Sequence, residues 1–268
     1  MKLEADRRPS PSGAGPTSDT PGRGKCGRLS ATRVAELRVG TSGYAYPAWR
    51  GGFYPDRLPA GEMLAFYARE LPSVEINHTF YRMPAERTLR EWAAAVPNGF
   101  RFAVKLNQKL THVQRLRDCE ELLERFLGAV SILTASQQLG PILVQLPPNF
   151  RADLPRLDGF LGLVPPLFRL ALEVRHASGH TEETYAVLRR HGVALCLAES
   201  DEAPTPLVVT AGFVYVRLRR EDYSPADLAA WRSRCHDWVA SGLDVFAYFK
   251  HEDAAKGPAY ARALLAAG

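Results

Sequence analysis

The stretch at residues 73–84, SVEINHTFYRMP, begins like a buried strand and ends in a run of polar side chains. Glu75 and Asn77 are two residues apart, so in a strand both side chains leave the same face. Placing charged groups beneath covering helices costs several kcal/mol each unless they are paired. The stretch therefore predicts a strand whose carboxyl end opens into the polar mouth of a parallel sheet.

Apolar segments typical of strands alternate with amphipathic segments typical of helices along the chain. Strands are predicted at 37–41, 73–77, 101–106, 141–146, 169–174, 193–198, 213–218 and 244–249. Helices are predicted between most of them, at 62–70, 86–95, 119–139, 181–191, 225–240 and 257–267. Eight strands alternating with helices favour parallel pairing and an α/β fold.

A closed, TIM-barrel-like (β/α)8 parallel barrel forming a single domain over residues 36–268 is the predicted architecture. The alternative is an open doubly wound sheet, which needs a glycine-rich first turn for phosphate. The segment VGTSGY at 39–44 is only a weak version of that turn.

Residues 1–35 are predicted to be a disordered tail rich in Pro, Gly and Ser, because such a composition buries too little apolar surface. The segment GRGKCG at 22–27 matches a dinucleotide-binding pattern, but no strand precedes it and no helix follows. Residues 1–36 carry seven basic and four acidic side chains, a large share of the net charge of +5. The charge therefore indicates nucleic-acid binding only where basic residues cluster.

The chain has no continuous apolar leader and no C-x-x-C pair among its four cysteines. A chain of this kind is expected in the cytoplasm, with free thiols and no membrane association.

Nearly every predicted strand ends in a group capable of hydrogen bonding or proton transfer, and barrel chemistry lies at those ends. The predicted catalytic residues are Glu75, Glu173 and His176. The residues predicted to bind the ligand from their positions at strand ends are Thr41, Ser42, Asn77, Lys105, Gln145, Arg175, Arg217 and Lys250.

Five sequence blocks also resemble the YecE-like family, domain of unknown function 72 (DUF72). They are VGTSGYAYPAWRGGFYP (39–55), VEINHTFYRMP (74–84), KLNQKLTH (105–112), LGPILVQLPPNF (139–150) and EVRHASG (173–179). The resemblance implies a TIM-barrel-like fold, and it adds Tyr81 and His112 to the ligand-binding residues, with Gly43, Thr79 and Thr111 as characteristic positions. The chain departs from the family pattern at Tyr44 and Gly179, where tryptophan is usual, and in YFKHED at 248–253.

Three kinds of chemistry fit these residues. Basic side chains that follow the seventh and eighth strands predict phosphate recognition: Arg217, Arg219, Arg220, Lys250 and His251. Glu75 and Glu173 could divide the roles of acid and base, with Arg175 lowering the pKa of Glu173. A divalent metal is possible on the side chains of His78, His112, His176, Glu75, Glu173, Glu199 and Asp201, although no tight ligand motif is present.

The predicted function is to bind an anionic, phosphate-bearing small molecule or nucleic-acid component at the mouth and to hydrolyse or isomerise it. The alternative is a non-catalytic nucleic-acid-binding protein. A deep pocket around the glutamates favours an enzyme, and a broad basic surface favours binding.

Overall fold

The computed structural model describes residues 34–199, 204–251 and 253–266. The compact unit is Val34–Gly268. The predicted tail, apart from its last two residues, lies outside the described residues, as do GRGKCG, Cys26 and Asp201.

Eight parallel strands form one sheet in the order β1-β8-β7-β6-β5-β4-β3-β2. Their bounds are β1 Leu37–Thr41, β2 Ser73–Ile76, β3 Arg101–Lys105, β4 Leu139–Gln145, β5 Leu170–Glu173, β6 Ala194–Glu199, β7 Phe213–Leu218 and β8 Asp244–Phe249. The first strand pairs with the last along its whole length, from Leu37–Val245 to Thr41–Phe249. This pairing confirms the barrel and excludes the open doubly wound sheet.

The seam between β1 and β2 closes the barrel through few contacts. Ser42 and Glu75 form an isolated parallel bridge, and the Gly43 amide donates to the Glu75 carbonyl at 2.8 Å. A Cβ at Gly40 would lie 1.8 Å from the Ser73 carbonyl oxygen, so only glycine lets the two strands approach this closely.

Within the described residues eight α-helical segments lie between the strands or after the last one, and the second is a single turn at the end of β2. Their bounds are α1 Met63–Glu70, α2 His78–Tyr81, α3 Glu86–Ala95, α4 Glu120–Ala135, α5 Leu154–Gly162, α6 Glu182–Arg190, α7 Pro225–Ala240 and α8 Lys256–Leu265. The predicted 119–139 helix was too long, because Gln137 turns the chain with a φ of +56° and Leu139 already begins β4. At α7 the predicted start is confirmed, and Ser224 and Asp227 form a capping box. No helix within the described ranges is long and apolar enough to cross a membrane.

The lumen has its own apolar core, separate from the core beneath the helices. Large aromatic side chains enter from β7 and β8, namely Phe213, Tyr215, Phe246 and Tyr248. Alanines face them from the other strands, namely Ala103, Ala171, Ala194 and Ala198. These side chains fill the centre of the barrel. A functional site is therefore expected in the layer of side chains above them, at the carboxyl ends of the strands.

Candidate functional site

A buried arginine on β7 joins two buried glutamates from opposite parts of the barrel. Arg217 Nη2 donates to Glu75 Oε1 at 2.8 Å, and Arg217 Nη1 donates to Glu173 Oε2 at 2.6 Å. Glu75 and Glu173 are 0% exposed and Arg217 is 3% exposed. One guanidinium therefore bridges carboxylates from β2 and β5, which ties the two sides of the lumen together.

Neutral and charged neighbours complete the hydrogen bonding of each carboxylate. Glu75 accepts from the Ser42 hydroxyl and, at 2.7 Å, from the Tyr215 hydroxyl. Glu173 accepts from Gln145 Nε2 at 2.9 Å and from Arg219 Nη2 at 3.0 Å. Both glutamates accept several hydrogen bonds. Glu75, Glu173 and Arg217 therefore form a rigid layer, here called the floor of the mouth.

The charge of Glu173 is fixed by two arginines. Burial would raise the pKa of its carboxyl, but Arg217 and Arg219 outweigh burial and hold that pKa at about 2. The expectation that Arg175 lowers this pKa was wrong, because Arg175 is exposed and Glu173 pairs with Arg217 and Arg219 instead. At neutral pH Glu173 is a fixed anion rather than a proton donor.

Lys105 ends β3 within this layer, and it is 8% exposed. Its Nζ lies 3.8 Å from the centroid of the Phe80 ring. Within the parts of the chain that the structure describes, no carboxylate forms an ion pair with it. Burial, followed by the repulsion of Arg217, lowers the pKa of the Lys105 amine to about 8. Lys105 is therefore a buried amine that changes protonation near neutral pH.

His112 lies close enough to Lys105 to feel its charge, and its imidazole contacts the same aromatic ring at a centroid distance of 5.0 Å to Phe80. Its Nδ1 is 2.8 Å from the Thr111 hydroxyl, so Nε2 is the nitrogen available to a ligand. Burial, together with the positive charges of Lys105, Arg175 and Arg115, lowers the pKa of His112.

The loop that carries His112 has an unusual backbone. Lys109–Val113 form a π-helical turn, a rare conformation that is frequent at functional sites. Arg115, Leu116 and Asp118 then adopt positive φ angles of 52°, 65° and 47°. Left-handed conformations are costly for residues other than glycine, and they concentrate at ligand-binding segments. The amino-acid sequence does not predict this backbone, because no glycine marks it.

The remaining predicted residues lie in varied surroundings. Thr41 is a structural residue, since its hydroxyl donates to the Gly43 carbonyl at 2.6 Å. His176 is engaged locally, with Nδ1 2.9 Å from the Ser178 hydroxyl. Three predicted ligand residues are exposed to solvent: Tyr81, Arg175 and Lys250.

The expected convergence of metal ligands is not found among the described residues, where no three His, Cys, Asp or Glu side chains form a group that could hold an ion. Asp201, one of the proposed ligands, lies outside those residues.

A cavity of about 420 Å³ opens at the carboxyl ends of β1 and β2. Asn77 and His78 line it, together with the aromatic side chains of Tyr44, Tyr46 and Trp92. Tyr44 stands where the family usually has tryptophan, and the wall of this cavity is nevertheless aromatic.

Two side chains that the sequence analysis did not assign to the site are Phe80 and Tyr215. Tyr215 could have been found, because it is two residues before Arg217 and therefore shares its face of β7. Phe80 could not, because only the short helix α2 brings it beneath Lys105.

Comparison with protein families and solved structures gives consistent matches. The model of the family described as "Protein of unknown function DUF72" matches residues 38–267. UPF0759 protein YecE of Escherichia coli K12 is 32% identical over 154 residues, which are 55% of this chain and 53% of that protein. UPF0759 protein YunF of Bacillus subtilis is 30% identical over 101 residues, 36% of each chain. The matches thus span about half or less of these relatives' length.

Two crystal structures show the same fold. A DUF72 family protein of Thermotoga maritima superposes with a TM-score of 0.70 at 25% identity, covering 86% of this chain and 97% of that one. A DUF72 family protein of Enterococcus faecalis gives a TM-score of 0.71 at 20% identity, covering 87% and 96%.

Proposed function

The chain belongs to the DUF72 family, and from the geometry of its barrel mouth we propose that it binds a phosphate-bearing small molecule there and isomerises it by proton transfer. The observation that carries the proposal is Lys105, a buried amine that no described carboxylate pairs. A buried ammonium without a carboxylate partner is costly, its contact with the Phe80 ring offsets only part of that cost, and an anionic ligand would offset more.

The balance of charge around Lys105 and His112 supports an anion. The charged groups that shift the pKa of Lys105 are two arginines and two carboxylates: Arg217, Arg219, Glu75 and Glu173. Those that shift the pKa of His112 are all cations: Lys105, Arg115 and Arg175. Both carboxylates are already bonded to Arg217. Phosphate oxygens would therefore meet a surplus of donors, led by the exposed Arg175 and the Nε2 of His112.

Proton transfer requires a group that changes its charge near neutral pH. Glu173 does not, because its pKa is held at about 2. Lys105 does, since its pKa is about 8. We therefore assign the role of base to Lys105 and not to the glutamates, which hold the floor of the mouth. This distribution of roles favours isomerisation over hydrolysis of the phosphate ester.

The test is the melting temperature of the protein with inorganic phosphate and with dihydroxyacetone phosphate at millimolar concentration. Binding to the folded state raises the melting temperature by mass action. Arg175→Ala should lose most of this rise. Arg69→Ala is the matched control, because it removes another exposed arginine from the last turn of α1, which ends just before β2 begins and so lies at the opposite end of the barrel from the mouth.

The proposal fails if neither compound raises the melting temperature, or if Arg69→Ala loses as much of the rise as Arg175→Ala. A single-stranded oligonucleotide that stabilises the protein far more than both phosphates would favour the nucleic-acid-binding alternative.

A further inference from the structure

We propose that Lys105 is an amine nucleophile, which forms an imine with the carbonyl carbon of an aldehyde or ketone bound in the mouth. This inference deepens the proposed function, on which it rests, by naming the substrate class as a phosphorylated carbonyl compound. It assigns covalent chemistry to a side chain that the proposed function uses only as a base.

The position of the amine is the first support. Lys105 is the last residue of β3, so its side chain leaves the strand at the end where barrel enzymes hold their reacting groups. A neutral lysine is a good nucleophile, and lysines become neutral when they are desolvated or placed next to another cation. Lys105 meets both conditions, since it is 8% exposed and its charge is opposed by Arg217.

The charged groups around the amine come from several elements, and they act in both directions. Arg217 and Arg219 favour the neutral amine, and Glu75 and Glu173 favour the ammonium. Burial and the arginines prevail, because the glutamates are engaged with Arg217. The pKa of about 8 leaves a useful fraction of neutral amine at physiological pH.

Phe80 and His112 complete the arrangement. The Lys105 amine lies over the Phe80 ring, and the imidazole of His112 contacts the same ring. The apolar ring excludes water from one side of the amine, which lowers competition from hydration. His112 can carry a proton, and its Nδ1 contact with Thr111 directs Nε2 away from the loop backbone.

The proposed step balances without an oxidant or reductant. The lone pair of Lys105 Nζ adds to the carbonyl carbon, and the carbonyl oxygen takes a proton to give a carbinolamine. The carbinolamine then loses its hydroxyl with a second proton as water, leaving the carbon–nitrogen double bond. We assign His112 the role of supplying these protons and of recovering one from the nitrogen, because it is the titratable side chain that shares the Phe80 ring with the amine.

Trapping by reduction tests the inference. The full chain is incubated with dihydroxyacetone phosphate, or with formaldehyde as the smallest carbonyl, in the presence of cyanoborohydride near pH 8. Peptide mass spectrometry then locates the reduced adduct among the six lysines of the chain, Lys2, Lys25, Lys105, Lys109, Lys250 and Lys256. We expect Lys105 to be modified first with both compounds.

Two variants and one control make the result decisive. Lys105→Met removes the amine, and Lys105→Arg keeps a cation that cannot form an imine, so both should lose the fast adduct. Lys109→Met is the matched control, because Lys109 is an exposed lysine on the same loop, and it should keep the adduct.

Modification of Lys105 no faster than that of the exposed lysines, or a fast adduct that survives in Lys105→Met, overturns the inference. Its failure is distinguishable from failure of the proposed function. Stabilisation by inorganic phosphate without a Lys105 adduct removes only the covalent step, and an adduct with formaldehyde without any stabilisation by phosphates removes only the phosphate site.

Discussion

Arg217 Nη1 lies 2.6 Å from Glu173 Oε2, and this ion pair is closed off from solvent at the carboxyl ends of β7 and β5. The same guanidinium reaches Glu75 on β2 through its other nitrogen. Removing one member of such a network lowers the free energy of unfolding strongly, because the remaining partner stays buried and charged. The ion-paired layer of Glu75, Glu173 and Arg217 is therefore a structural scaffold beneath the mouth.

Replacing Glu173 by glutamine should destabilise the protein by about 3–5 kcal/mol, as when one partner of a buried ion pair is removed. The neutral amide would leave Arg217 and Arg219 with reduced compensation of their charges. Urea unfolding at neutral pH measures the change. Glu121→Gln is the control, because Glu121 pairs with Arg125 on the exposed face of α4, and its loss should cost less than about 1 kcal/mol. Equal losses would show that the Glu173 pair is not structural.

Replacing Tyr215 by phenylalanine removes a hydroxyl that donates to Glu75 at 2.7 Å. Hydrogen bonds to charged groups contribute about 1.5–3 kcal/mol, and neutral ones about 1 kcal/mol. Tyr248→Phe supplies the comparison, because that hydroxyl is 2.7 Å from the neutral Ser73 hydroxyl and the two rings are neighbours in the lumen. Thermal or urea unfolding should rank Tyr215→Phe as the more destabilising, and the reverse order would contradict the assigned role of Glu75.

Lys105→Met should raise stability at neutral pH. The folded pKa of Lys105 is about 8, below its ordinary value of 10.5, so below pH 8 the folded state carries a disfavoured charge. The unfolded chain keeps the proton longer as pH rises, so the wild type gains stability between pH 8 and 10.5 by up to about 3 kcal/mol.

The stability difference between Lys105→Met and the wild type should therefore shrink across that window. The buried tyrosines titrate equally in both proteins and cancel from the comparison. Lys109→Met, which changes an exposed lysine, should show no such trend. A constant advantage for Lys105→Met across the window would place the Lys105 pKa near its ordinary value.

The fold could be predicted from the sequence because each strand of a parallel barrel has a recognisable local sequence pattern. Each has an apolar run, a polar residue at its carboxyl end and a helix after it, as in β2 and β7. The sequence also placed Glu75, Glu173, Lys105 and Arg217 in the correct layer. Which of these side chains pair with one another could not be predicted from the sequence, because partners such as Arg217 and Glu75 are 142 residues apart.

Neighbours in sequence were a poor guide to charge pairing. Arg175 is two residues from Glu173, but β5 ends at Glu173 and Arg175 turns outward to solvent. The backbone of the loop that carries His112 could not be predicted either, because neither glycine nor proline marks its π-helical turn or its left-handed residues.

Proton uptake on phosphate binding tests the central claim most directly. An anion beside Lys105 raises the pKa of the amine, so binding at a pH just above 8 should draw protons from the buffer. Calorimetric titration of inorganic phosphate in two buffers of different ionisation enthalpy measures that uptake. The account predicts net uptake in the wild type and in Lys109→Met, and none in Lys105→Met. Undetectable binding, or equal uptake in all three proteins, would contradict it.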